Sequence, residues 1–280
     1  MGCGACTTVC PSGALTYAYP KAADGGARMQ IALRTYALSG GQDAVLLLHN
    51  PQKGRALIEE LGRAARLGLA SGLPARVIPL EVWHSASVGI DLWLTLLVSG
   101  ARQIMVLCTD DDAPAYVQAL NEQAELVREL LTGLGDEGRG VSVLRAHGGL
   151  DLEAEIQAAL LSGAATEWPV ANLSLTGEKR SQLELALAHV LAHAPALKAT
   201  EPPQHIDFSG SGSPWGTVQI DTDACTLCMS CVGACPASAL QDNPERPQLR
   251  FLEKNCVQCG LCVQTCPEQA LKLQPRLSLG

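Results

Sequence analysis

The sequence predicts a mixed class, α/β with α+β: a parallel-sheet α/β domain followed by a small cysteine-rich domain. Three observations carry this. Four short apolar runs alternate with amphipathic helical stretches between residues 30 and 165. A stretch rich in Pro, Ser and Gly (EPPQHIDFSGSGSPWG) interrupts the chain at 195–216. Beyond it, over 217–274, one cysteine pattern occurs twice.

The apolar runs are Ala44–His49, Ala75–Leu80, Gln103–Thr109 and Val141–Ala146. Helical patterns separate or follow them at Lys53–Leu69, Ser87–Ser99, Ala113–Leu134 and Leu152–Leu161. Short β-rich runs joined by helices imply βαβ units with right-handed crossovers, helices on both faces and a flavodoxin-like topology. Asp112 before Ala113-Pro114 reads as a helix N-cap, Gly133 and Gly135 as a helix stop, and Asp151 as a cap of the fourth helix. Residues 176–193 give one further amphipathic helix, and 195–216 a linker.

In the last domain, Cys225-x2-Cys228-x2-Cys231-x3-Cys235-Pro236 recurs 31 positions later as Cys256-x2-Cys259-x2-Cys262-x3-Cys266-Pro267. The traces CPASAL and CPEQAL follow in register. Three cysteines at two-residue gaps let one loop wrap three corners of an iron–sulfur cube, with backbone N–H groups turned toward its sulfides. The fourth, past a short helical turn, faces away from its own loop and serves the cluster of the other repeat, as in two-cluster ferredoxins. Two [4Fe–4S] clusters are therefore expected. Cluster I falls on Cys225, Cys228, Cys231 and Cys266, and cluster II on Cys256, Cys259, Cys262 and Cys235. Two complete copies with both prolines argue against zinc. A radical-SAM pattern fails because Ser238 stands where its third ligand would be. This stretch resembles bacterial dicluster ferredoxins.

Residues 1–20 hold a shortened third copy, Cys3-x2-Cys6-x3-Cys10-Pro11 followed by Ser12-Gly13-Ala14-Leu15. Aligned on the CPxxAL trace, Cys3, Cys6 and Cys10 take the second, third and fourth ligand positions. The first would lie one residue before Met1. The expectation is a chain that begins inside a motif of a longer, multi-cluster parent; free thiols are the other reading of these three residues.

Part of the α/β region, from about 75 to 135, resembles the delta-subunit domain of methyl-viologen-reducing hydrogenases, also found fused to heterodisulfide reductase subunits. The features are Leu92–Val98, Gly100-Ala101, Gln103–Cys108 and a long helix closing at Gly133-Leu134-Gly135. The resemblance implies electron transfer between a hydrogenase and its acceptor. Where that family has further cysteines for a [2Fe–2S] cluster, this region keeps only Cys108, which implies a docking or spacer module. The whole arrangement is similar to proteobacterial multi-cluster 4Fe–4S proteins, some of them associated with formate dehydrogenase genes.

Other residues read as structural. Cys108 ends an apolar run and suits a buried thiol. Asp110, Asp111 and Asp112 follow at a strand's carboxyl end, where a Mg²⁺ or phosphate role competes with capping. His189 and His193 lie i, i+4 without a third ligand, and His49 and His84 sit near strand ends. Neither GxGxxG after the first strand nor GxxxxGK[ST] is present.

Bulk properties narrow the class. The 280 residues are 47% hydrophobic and 17% charged, which suits a packed core, and the net charge of −8 excludes a nucleic-acid surface. Val88–Val98, the most apolar stretch, is too short to span a bilayer and contains Asp91. Eleven of twelve cysteines crowd into three clusters, a metal-ligand pattern that implies a reducing, cytoplasmic compartment. The expected role is an electron-transfer protein or subunit with redox protein partners, such as an enzyme of formate dehydrogenase or hydrogenase type. An oxidoreductase subunit whose α/β domain binds a flavin or small substrate, or a metalloenzyme maturation factor, are the alternatives.

Overall fold

A computed structural model describes residues 4–10, 15, 21–161, 165–175, 178–210 and 212–279. The chain divides into two compact units, Met1–Glu201 and Pro202–Gly280.

The first unit begins with α1 (Ala5–Val9) and α2 (Ala22–Leu38). A βα alternation follows: β1 (Val45–His49), α3 (Lys53–Arg66), β2 (Val77–Glu81), α4 (Ile90–Val98), β3 (Gln103–Cys108), α5 (Pro114–Gly133), β4 (Gly140–Arg145), α6 (Gly149–Ala159). It closes with α7 (Lys179–His193). The sheet is wholly parallel, in the order β2-β1-β3-β4.

Central position explains the sequence of β1 and β3. Every residue of both strands is buried, so VLLLH and QIMVLC read as nearly continuous apolar runs. Pro79 is tolerated because β2 lies at the sheet's edge. Val45, Leu47, Met105 and Leu107 pack with Leu57 and Leu61 of α3 and Leu152 and Ile156 of α6. By the two-residue strand period, Leu46, Leu48, Ile104 and Val106 point to the other face. The remaining helices supply buried residues such as Trp93 and Leu97 of α4, Val127 and Leu130 of α5, and Val190 of α7.

Two caps differ from expectation. The N-cap of α5 is Ala113, with Pro114 at the first helical position. Asp112 turns back, accepting from Thr109 N (2.7 Å) and from the Ser85 hydroxyl. Gly148 caps α6, and Asp151 in its first turn accepts from His147 N at 2.8 Å. Helix α2, with glycines at 25 and 26, carried no clear periodic signal. The stretch 195–216 contains a 3₁₀ turn (Ala196–Lys198) and a strand.

Helices α3 and α6 meet at Gly149, where a Cβ would stand 2.7 Å from Leu61 N and 3.0 Å from the Glu60 carbonyl carbon. Gly149→Ala is expected to lower the first unit's stability by about 1–3 kcal/mol, because backbone must move apart. Denaturant unfolding followed at Trp93 checks this.

The second unit holds β5 (His205–Asp207), β6 (Gly216–Ile220), α8 (Ser230–Ala234), β7 (Leu240–Asp242), β8 (Leu249–Phe251), α9 (Leu261–Thr265) and β9 (Leu271–Ser278). Each repeat is strand, cysteine loop, one-turn helix, strand. The pairing crosses between them: β6 of the first repeat pairs antiparallel with β9 of the second, and β7 with β8. Strand β5 adds to the free edge of β9. Among the described residues, no helix is long and apolar enough to cross a membrane.

Candidate metal centres

The crossed pairing decides which thiols meet. Cys225, Cys228, Cys231 and Cys266 line one cavity, together with Thr226, Ser230 and Glu268. Cys256, Cys259, Cys262 and Cys235 line a second, together with Val218, Ala237 and Phe251. Each cavity, counting its mouth, encloses about 340 Å³ of atom-free space. In both, three thiols come from one repeat and the fourth from the other.

The local backbone repeats as faithfully as the cysteines. Leu227, Met229 and Ser238 have positive φ, and so do Gln258, Gly260 and Gln269, each 31 positions on. Met229 and Gly260 are the left-handed N-caps of α8 and α9, and Cys235 and Cys266 their extended C-caps. Non-glycine residues in this region each cost about 1–2 kcal/mol. Such strain persists where a functional loop requires it. Equivalent backbone donors reach the fourth thiols: Ala239 N to Cys235 Sγ at 3.2 Å, Ala270 N to Cys266 Sγ at 3.4 Å.

Electrostatics separates the thiols. Burial pushes the pKa of Cys231 and Cys256 up, and burial with neighbouring Cys256 takes Cys262 to about 11. Cys228, exposed, is lowered chiefly by a hydrogen bond with Ser230. The buried thiols keep their protons until a metal displaces them. Among the described residues, no three Cys, His, Asp or Glu side chains are placed to hold a metal ion. The four thiols of each set instead surround a space, a donor arrangement suited to a polynuclear group.

Helix α1 has the same design as α8 and α9. It spans five residues, starts from left-handed Gly4 and ends at extended Cys10. The Lys179 ammonium donates to the carbonyls of Thr7 (3.1 Å), Thr8 and Cys10 (3.2 Å), capping α1 at its carboxyl end. Thr8 Oγ1 reaches Ala86 O at 3.1 Å. Burial lowers the Lys179 pKa, and Asp91 opposes that shift. Cys6 is exposed and Cys10 half-buried. Cys3 lies outside the described residues.

Residues 217–267 match a family model described as a 4Fe-4S dicluster domain, and residues 1–14 match one described as a 4Fe-4S binding domain. Both matches are to 4Fe-4S binding families, one near each end of the sequence. No curated protein matches it. The all-cysteine donor sets of the dicluster domain fit iron–sulfur groups, which supply one-electron transfer when bound.

Several polar residues at the carboxyl ends of the parallel strands bond to neighbouring protein groups, the Asp110 and Asp111 pairs at the exposed surface. Asn50 Oδ1 accepts from Gln52 N and Gly54 N at the start of α3. His84 Nδ1 accepts from Ala86 N, and His49 Nδ1 contacts Asn50 O. Asp110 pairs with His147, and Asp111 with Lys53, each at 2.8 Å. His189 and His193 bond to the carbonyls of Pro169 and His189. Cys108 is fully buried, and burial with nearby Asp112 pushes its pKa to about 12. Iodoacetamide is therefore expected to leave Cys108 unlabelled in the folded protein and to label it in denaturant, read by peptide mass.

Sequence reasoning did not single out Gln258, Glu268 or Lys179. A repeat-to-repeat comparison flags the first two, since Leu227 and Ala237 occupy their equivalent positions. Lys179 carries no sequence signal, because α1 lies far from it along the chain.

Proposed function

We propose that this chain is a carrier or subunit that relays single electrons through two [4Fe–4S] clusters in its dicluster domain. Cys225, Cys228, Cys231 and Cys266 hold cluster I; Cys256, Cys259, Cys262 and Cys235 hold cluster II. The carrying observation is the crossed set of thiols around each cavity, three from one repeat and one from the other. All-thiolate ligation gives low potentials, suited to a redox partner such as an enzyme of formate dehydrogenase or hydrogenase type. Cys3, Cys6 and Cys10 are ligand candidates for a further iron–sulfur site, in the stretch that matches a 4Fe-4S binding domain. The α/β unit serves as a docking module, and the protein works in the cytoplasm.

Anaerobic reconstitution of the full chain tests the reading. The dicluster domain accounts for about eight irons per chain, with EPR signals of two interacting clusters in the reduced state. Stoichiometric zinc without iron would end it.

A further inference from the structure

The two repeats are symmetric in their ligands and asymmetric in what touches those ligands. Gln258 Nε2 donates to Cys256 Sγ at 3.2 Å and to the Thr217 carbonyl at 3.3 Å. The carbonyl can only accept, so it fixes which end of the amide faces the sulfur. The contact is partly shielded from solvent, with Cys256 only 8% exposed and Gln258 half-buried. Room for it comes from Gly216, where a Cβ would stand 2.4 Å from the Gln258 amide carbon. The equivalent position in the first repeat is Leu227, which has no donor. A second asymmetry has the opposite sign. Glu268 lines the cavity of Cys225, Cys228, Cys231 and Cys266, and the matching position of the other cavity is Ala237.

We infer that Gln258 and Glu268 split the potentials of the two clusters, making the one bound by Cys256 the better electron acceptor. The inference rests on the two-cluster reading. A hydrogen bond to a ligating sulfur stabilises the extra negative charge of the reduced group and raises its potential, whereas a carboxylate beside a group lowers it. Each cluster takes one electron from an external one-electron donor. Both side chains therefore direct the first electron to the same cluster. Ser230, whose hydroxyl lies 3.4 Å from Cys228 Sγ, and Thr226, which also bonds to Cys228, act the other way. Cys228 is exposed, so water competes for those contacts. Glu268 is exposed too and is screened, which leaves Gln258 the larger influence.

The test is an EPR-monitored titration of the reconstituted full chain, with dithionite as donor. Wild type is expected to reduce in two separate one-electron steps. Gln258→Leu, which installs the side chain already present at 227 with the same positive φ, is expected to shift the upper step. Its electron affinity should fall about tenfold, about 59 mV for a one-electron couple. Glu268→Ala should raise the lower step by a smaller factor, and the double variant should bring the steps together. Coincident steps in wild type, or an upper step unmoved by Gln258→Leu, overturn the inference. Glu268→Ala is an independent arm if the first variant loads poorly: an unmoved lower step then counts against it. Iron well below about eight per chain in wild type fails the two-cluster reading itself; full loading with one shared potential fails only the splitting.

Discussion

Replacing Cys266 by Ser is expected to strip the cluster organised by the other repeat, 35 to 41 positions earlier in the chain. Cys266 lines the cavity of Cys225, Cys228 and Cys231, and its thiol is the proposed fourth donor there. Iron and sulfide should fall to about half. Cys225, Cys228 and Cys231 should become open to alkylation, while Cys235, Cys256, Cys259 and Cys262 stay protected. Cys235→Ser should give the mirror pattern, freeing Cys256, Cys259 and Cys262. Peptide mass mapping after alkylation reads both. If Cys266→Ser instead exposed the cysteines of its own repeat, the crossed assignment would be wrong.

The repeated cysteine spacing was legible in the sequence, and the crossed assignment came with it from the way this motif works in two-cluster ferredoxins. A fourth cysteine separated from its loop by one helical turn faces away from that loop, and the copy of the motif 31 residues on lies in the same small unit. The parallel sheet was legible for a related reason. Buried central strands must be apolar along their whole length, so Val45–His49 and Gln103–Cys108 declare themselves. Less was visible where the outcome depends on tertiary contacts. Asp112 has every local feature of a helix cap, yet Ser85 and Thr109, brought together at the ends of β2 and β3, take its carboxylate. Residues 205–207 look like linker because a three-residue strand has no periodicity. They become a strand only because β9 offers a free edge. The Lys179 contacts with α1 join positions more than 160 residues apart.

The second large effect concerns metal removal. The packed centre of the second unit consists of Val218, Ala239, Leu240 and Leu271 with Cys231, Cys256 and Cys262. Three of its seven buried members are thus thiols proposed here as ligands. Around them, Leu227, Met229, Ser238, Gln258 and Gln269 hold left-handed backbone without being glycine. At about 1–2 kcal/mol each, that strain totals about 5–10 kcal/mol. The whole stability of a small domain is about 5–15 kcal/mol. Strain of that size is comparable with the whole stability, so metal–thiolate bonds are expected to couple metal binding to folding of this unit. The sheet core of the first unit is expected to hold without metal, because it joins α3 and α6 to β1, β3 and β4 through apolar residues that are not thiols. Treating the full chain with acid and a chelator, then returning it to neutral buffer with a thiol reductant, should leave iron-free protein with one unit folded. Hydrogen exchange by mass spectrometry should find amides of β6, β7, β8 and β9 exchanging freely, while those of β1 and β3 stay protected. Undiminished protection of the β6–β9 pairing in iron-free protein would show that the strained loops are held by the protein's own packing, and the coupling of folding to metal would fail.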